Sequence, residues 1–167
     1  MDFLKQLPHI EPYGNPQYFV YVITATLPIF IGLFFKKRFA WYEMLVSLFF
    51  IVTMLTGGKT NQLAALGIYL CWEILLLLFY KHYRKSKDGK WVFYLVSFLS
   101  LLPIIFVKVQ PAINGTQSLF GFLGISYLTF RSVGIIIELR DGVIKDLKIG
   151  EYLRFLLFMP TFSSGPI

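Results

Sequence analysis

The residues able to do chemistry sit where an apolar chain has least use for them. Within residues 119–139, Tyr127, Arg131, Gly134 and Glu138 recur at spacings of four, three and four. At 100° per residue they fall within about a 60° arc, so one helix face carries a hydroxyl, a cation and a carboxylate. Ser126 and Thr129 add hydroxyls close by. An arginine at mid-membrane costs roughly 2.5–3.5 kcal/mol even on the gentler insertion scale, so Arg131 should face protein or water and have a partner. Glu73 is the first candidate. If the two helices begin at 61 and 119, acid and base each lie about 18 Å down from the same membrane face. Glu138, about 10 Å along the axis from Arg131, is the second. A buried pair of this kind either knits two helices together or lines a polar cavity.

A second cluster lies at residues 158–167. There Pro160, Pro166 and Gly165, with Ser163 and Ser164, interrupt an apolar piece. Proline and glycine leave backbone carbonyls unpaired, which a membrane tolerates only where the backbone is buried in protein or lines a cavity. Other signals fail. Gly58-Lys59-Thr60 lacks the upstream glycine of a phosphate-binding loop, since position 53 is Thr53. His9 and His82 stand apart from any carboxylate or cysteine cluster with metal spacing, so no metal is expected. Asn114-Gly115-Thr116 fits a glycosylation sequon, but Asn-Gly is also a common turn, and a turn is the better reading.

The elements that carry these residues follow from hydropathy. Of the 167 residues 56% are hydrophobic, 19% are aromatic, and mean hydropathy is +0.65. That excludes an ordinary soluble domain, which needs more polar surface to cover its core. About five spans of roughly 20 apolar residues are expected, at 17–35, 39–56, 61–80, 91–109 and 119–139. The piece 152–159 is too short to span and reads as a broken or re-entrant helix. The chain thus divides into a tail at 1–16, a five-helix region at 17–139, and a connection with the broken helix at 140–167. Trp41, Tyr42, Tyr80 and Trp91 fall at expected helix ends, as interfacial anchors do.

The net charge of +7 points to membrane topology rather than nucleic acid. With the first helix entering from outside, twelve of the 16 bases fall on inner segments. Lys5, Lys59 and Lys108 fall outside and Arg131 within a span. An outward N-terminus in the plasma membrane is therefore expected. The basic stretch 81–90 serves that topology, and could also attract an acidic protein. Cys71 lies in an apolar run and says nothing of redox compartment.

Two stretches carry a family resemblance. Gly124-Ile125-Ser126-Tyr127-Leu128-Thr129-Phe130-Arg131, followed by Leu139-Arg140-Asp141-Gly142, resembles the membrane-bound O-acyltransferase family. Phe158-Met159-Pro160 to Ser164-Gly165-Pro166-Ile167 is similar to that family's next motif. The wording is nearest the branch that transfers D-alanyl groups, while an alginate-acetylating branch shares the same front motifs.

The resemblance implies an all-α ring of helices with a tunnel joining the two faces. It implies a D-alanyl carrier protein at the cytoplasmic face, bearing a phosphopantetheine thioester as donor, and lipoteichoic acid as acceptor. No cofactor is bound, and membrane lipids but no nucleic acid are partners. The family's catalytic histidine lies in the second half of longer chains, so it is expected beyond Ile167 and no catalytic residue is assigned here. A transporter fragment with a polar path, or a scaffold for other membrane proteins, is the competing reading.

Overall fold

A computed structural model describes residues 16–37, 39–55, 61–86, 89–115, 121–122 and 124–162. They form six α-helices and one 3-10 turn. The helices are α1 (Pro16–Phe34), α2 (Ala40–Leu55), α3 (Asn61–Ser86), α4 (Lys90–Asn114), α5 (Ile125–Asp141) and α6 (Ile149–Leu156). The 3-10 turn is Met159–Thr161, and no strand occurs among the described residues. The chain is an all-α membrane protein. Gln17–Phe34, Gln62–Arg84 and Lys90–Ile113 are long and apolar enough to cross a membrane, and Ala40–Leu55 is a shorter apolar helix.

Side-chain exposure follows the solvent. Along α1, Phe19, Val20, Ile23, Phe30 and Ile31 are all about half exposed or more, so the helix presents apolar side chains outward, as suits lipid. Its turn into α2 is tight. Lys36 takes a left-handed φ of 56°, and the Lys37 N–H donates to the Gly32 carbonyl at 2.8 Å, closing a Schellman-type C-cap. A Cβ on Gly32 would stand 2.6 Å from the Phe39 ring, so only glycine lets the chain reverse there. Pro28 removes one helical N–H from α1 and loosens the turn before it, and Tyr42 of α2 donates to the Ala25 carbonyl at 3.0 Å.

In α4 a neighbouring helix serves the carbonyl that proline frees. Pro103 has no N–H to offer the Leu99 carbonyl four residues back. The indole N–H of Trp72, on α3, donates to that carbonyl at 3.1 Å instead, so the freed carbonyl is bonded to the neighbouring helix. This helix runs five residues beyond the expected end at 109, through Pro111, and stops where Gly115 turns left-handed at φ 66°. That glycine supports the turn reading of Asn114-Gly115.

The third and fourth helices were expected to be shorter, and the fifth longer. The start of α5 is at Ile125 rather than near 119, because Gly124 adopts φ 90°, a conformation that breaks the helix and is open chiefly to glycine. Packing of α3, α4 and α5 forms the main core, with Leu77, Val96, Leu128, Ile136 and Leu139 almost wholly buried. Tyr80 also lies in this core, 3% exposed against the Phe93 ring, and is not the interfacial anchor its position suggested. Trp41 and Trp91 are 82% and 86% exposed, as anchors would be.

Candidate functional site: a buried carboxyl joining four helices

The only fully buried acid among the described residues is Glu73, in the middle of α3 at 0% exposure. A carboxyl there must have its oxygens satisfied, because an unmet buried polar group costs about 1–3 kcal/mol. Hydroxyls do this. Ser100 of α4 donates to both oxygens, at 2.8 and 3.1 Å. Ser132 of α5 donates to Oε2 at 2.5 Å. The Ser132 hydroxyl is also 2.5 Å from the Tyr152 hydroxyl on α6, and Tyr152 is 1% exposed. One turn up α3, the Tyr69 hydroxyl reaches toward Glu73 and donates to Thr129 Oγ1 of α5 at 3.2 Å. Thr129 in turn donates to the Ile125 carbonyl at 2.8 Å. A single carboxyl thus ties α3, α4, α5 and α6 through small hydroxyls set in apolar walls.

The local sequence explains the placement. Thr129 and Ser132 are three residues apart, so they share the face of α5 that also buries Ile125, Leu128, Ile135 and Ile136. Tyr69 and Glu73 are four apart on the buried face of α3. Serine and threonine are short enough to sit inside a helix packing surface, and in hydrocarbon they gain from any acceptor across the interface.

Arg131 is not the partner of Glu73. Its guanidinium donates to the carbonyls of Phe155 and Leu156 at 3.2 and 3.3 Å and lies 5.4 Å from the Phe155 ring centroid. The arginine therefore covers the carbonyls that the end of α6 leaves unpaired, where a helix terminus carries partial negative charge. The expected depth was right to within a residue, since Ser132 meets Glu73. The facing was wrong, because one residue along a helix is 100° around it. Glu138 is exposed and does not meet Arg131. Ser126 and Tyr127 are half-buried on α5.

Of the expected polar set, Glu73 and Thr129 come together in the network. Sequence reasoning missed Tyr69, Ser100, Ser132 and Tyr152. The signal for these four was uncharged hydroxyls on the apolar faces of other helices and on the face of α5 that does not carry Arg131.

The second cluster lies partly outside the described residues, which end at Phe162, so Ser163, Ser164, Gly165 and Pro166 have no placement here. Pro160 lies within the 3-10 turn, where it occupies an early position that needs no N–H. The short helix was expected at 152–159 and occupies Ile149–Leu156 instead. Met159 is buried and its N–H donates to Ser47 Oγ of α2 at 3.2 Å. Phe162 is fully buried, and its carbonyl sits against the Cα of Gly124, leaving no room for a Cβ. The two stretches that carried the family resemblance therefore touch, at Gly124 and Phe162. Among the described residues no group of acids, cysteines and histidines could hold a metal ion.

Comparison with known proteins bears out the resemblance. The chain is 67% identical over all 167 residues to the teichoic acid D-alanyltransferase of Streptococcus thermophilus. Proteins of the same name from Lacticaseibacillus rhamnosus and Bacillus subtilis are 48% identical over 162 residues and 36% identical over 165. The chain spans 40% of the length of the first two, matching their N-terminal part, and 42% of the third. No family model matches.

Proposed function

We propose that this chain, as the counterpart of the N-terminal part of the teichoic acid D-alanyltransferases, is the front portion of a membrane O-acyltransferase that esterifies teichoic acid with D-alanine. The observation that carries this reading is the 67% identity sustained over the whole chain. In the reaction an acceptor hydroxyl oxygen attacks the thioester carbonyl of an alanyl donor. The C–S bond breaks, a C–O ester bond forms, and the hydroxyl proton passes by way of a base to the departing thiolate. The donor is the phosphopantetheine thioester of a D-alanyl carrier protein on the cytoplasmic side, and the acceptor is lipoteichoic acid outside.

The described residues take a supporting part in this chemistry. Acyl transfer between two faces of a membrane needs helices held in fixed register around a route that excludes bulk water. The Glu73 network supplies register, because it joins four helices at one depth by bonds that no single helix could satisfy alone. The contact between Gly124 and Phe162 anchors the broken segment to the start of α5. Both features support the reading as architecture rather than as reacting groups.

The test uses the full-length membrane protein in proteoliposomes, with carrier protein loaded with radiolabelled D-alanine and lipoteichoic acid as acceptor. Label should appear in lipoteichoic acid as a base-labile ester. Transfer of an acetyl group to a polysaccharide, with none of D-alanine to lipoteichoic acid, would overturn the reading in favour of the alginate-type branch.

A further inference from the structure

Where α3 reaches the end of its apolar stretch, a cleft of about 320 Å³ opens between it and the segment that follows α5. Its floor is apolar and aromatic, from Tyr80, Leu139 and Ile144, and its rim carries Lys81, Arg84 and Lys145. The three bases are not equivalent. Lys81 is already engaged: it pairs with Asp146 and donates to the Leu147 carbonyl at 3.0 Å, which holds the segment against α3. Arg84 and Lys145 pair with no carboxylate among the described residues. The Arg84 guanidinium lies along Gly142, whose left-handed φ of 77° ends α5 and whose missing side chain keeps that edge of the cleft open.

We propose that this cleft binds the phosphate of an anionic membrane phospholipid, with Arg84 and Lys145 as its ligands. The position selects the ligand. The cleft lies where a helix long and apolar enough to span gives way to a basic stretch. In a membrane such a junction falls at the headgroups, and basic pockets between helices at that depth recognise anionic headgroups. An arginine fork matches phosphate oxygens geometrically, and a lysine adds a point charge. The apolar floor suits the first carbons of a lipid and gives nothing to a free phosphate ion. A protein partner would be better served by a raised basic surface than by a recess between a helix and its neighbouring segment. This proposal is independent of the acyl-transfer reading.

The test is native mass spectrometry of the full-length protein in detergent, titrated with short-chain phosphatidylglycerol, phosphatidylcholine or inorganic phosphate. Phosphatidylglycerol should bind in preference to phosphatidylcholine. The double variant Arg84→Gln/Lys145→Gln should weaken that binding by roughly tenfold or more. The double variant Lys36→Gln/Lys37→Gln, which removes the same charge elsewhere, should leave it within about twofold. Thermal melting without lipid should be alike for all three proteins, which separates lost binding from lost folding. Equal loss in both double variants would overturn the site in favour of diffuse surface charge. Displacement by inorganic phosphate at equal concentration would overturn the lipid as source. Unchanged lipid binding with weakened association of an acidic carrier protein would overturn it in favour of protein docking.

Discussion

At the scale of single residues, Glu73 and Arg131 invert the expectation raised by their types. The two opposite charges lie at nearly the same level, yet each is satisfied by neutral groups: Glu73 by hydroxyls and Arg131 by carbonyls. Opposite charges attract, but a buried pair must also recover two desolvation costs, and geometry decides whether it can. Replacing Glu73 by alanine should leave the Ser100 and Ser132 hydroxyls without an acceptor and open a void, at a cost of roughly 2–5 kcal/mol in detergent-solubilised protein. Glu73→Gln keeps an acceptor and most of the volume, so its thermal melting should fall between wild type and Glu73→Ala. Equal loss in both variants would show that the hydroxyls do not depend on that acceptor. Ser132 joins two bonds in series, so Ser132→Ala and Tyr152→Phe should be less than additive, since either change breaks the Ser132–Tyr152 link. Arg131→Met should loosen the end of α6 and spare α3. Hydrogen exchange should speed up at residues 153–162 and stay unchanged at residues 65–80.

At the scale of elements, proline and glycine shape the helices more than propensity does. The Leu99 carbonyl depends on Trp72 only because Pro103 cannot serve it. Trp72→Phe should therefore destabilise the α3–α4 pair by about 1–3 kcal/mol. Pro103→Ala in the same chain should recover most of that loss, because the new N–H lies within the helix that owns the carbonyl. A double variant no better than Trp72→Phe alone would show that the indole acts by packing and not by its N–H. Gly124 is the other control point. Its φ of 90° and its closeness to the Phe162 carbonyl both exclude a side chain. Gly124→Ala should sharply lower the folded fraction recovered by size-exclusion chromatography of the full-length protein, and an equal change at Gly67, where a Cβ meets open space, should not.

At the scale of the whole molecule, two kinds of surface divide the chain. Exposed apolar residues lie along α1, α2, α3 and α4, and bases gather near the ends of the apolar stretches. The expected orientation, with the N-terminus outside, can be read on intact cells with an impermeant thiol reagent in a Cys71→Ser background. A cysteine replacing Asn114 should label, and one replacing Lys145 should label only after permeabilisation. The reverse pattern would invert the topology.

Composition and the linear order of residues determined that this is a helical membrane protein, where its helices lie, with ends displaced by up to six residues, and which family it resembles. These follow from local quantities: apolar length, charge between apolar runs, and contiguous motifs. The depth of Glu73 was also legible, because rise per residue is constant along a helix. Three things were decided only by tertiary structure. Helix rotation set which of Arg131 and Ser132 faces Glu73, since it depends on how neighbouring helices pack and changes by 100° with each residue. The helix boundaries at Gly124 and past Pro111 depended on backbone conformations that other parts of the chain stabilise. The meeting of Gly124 with Phe162, and of Trp72 with Leu99, joined residues far apart in sequence. No local pattern encodes such contacts, because each side of the pair is satisfied only once the other has been brought to it.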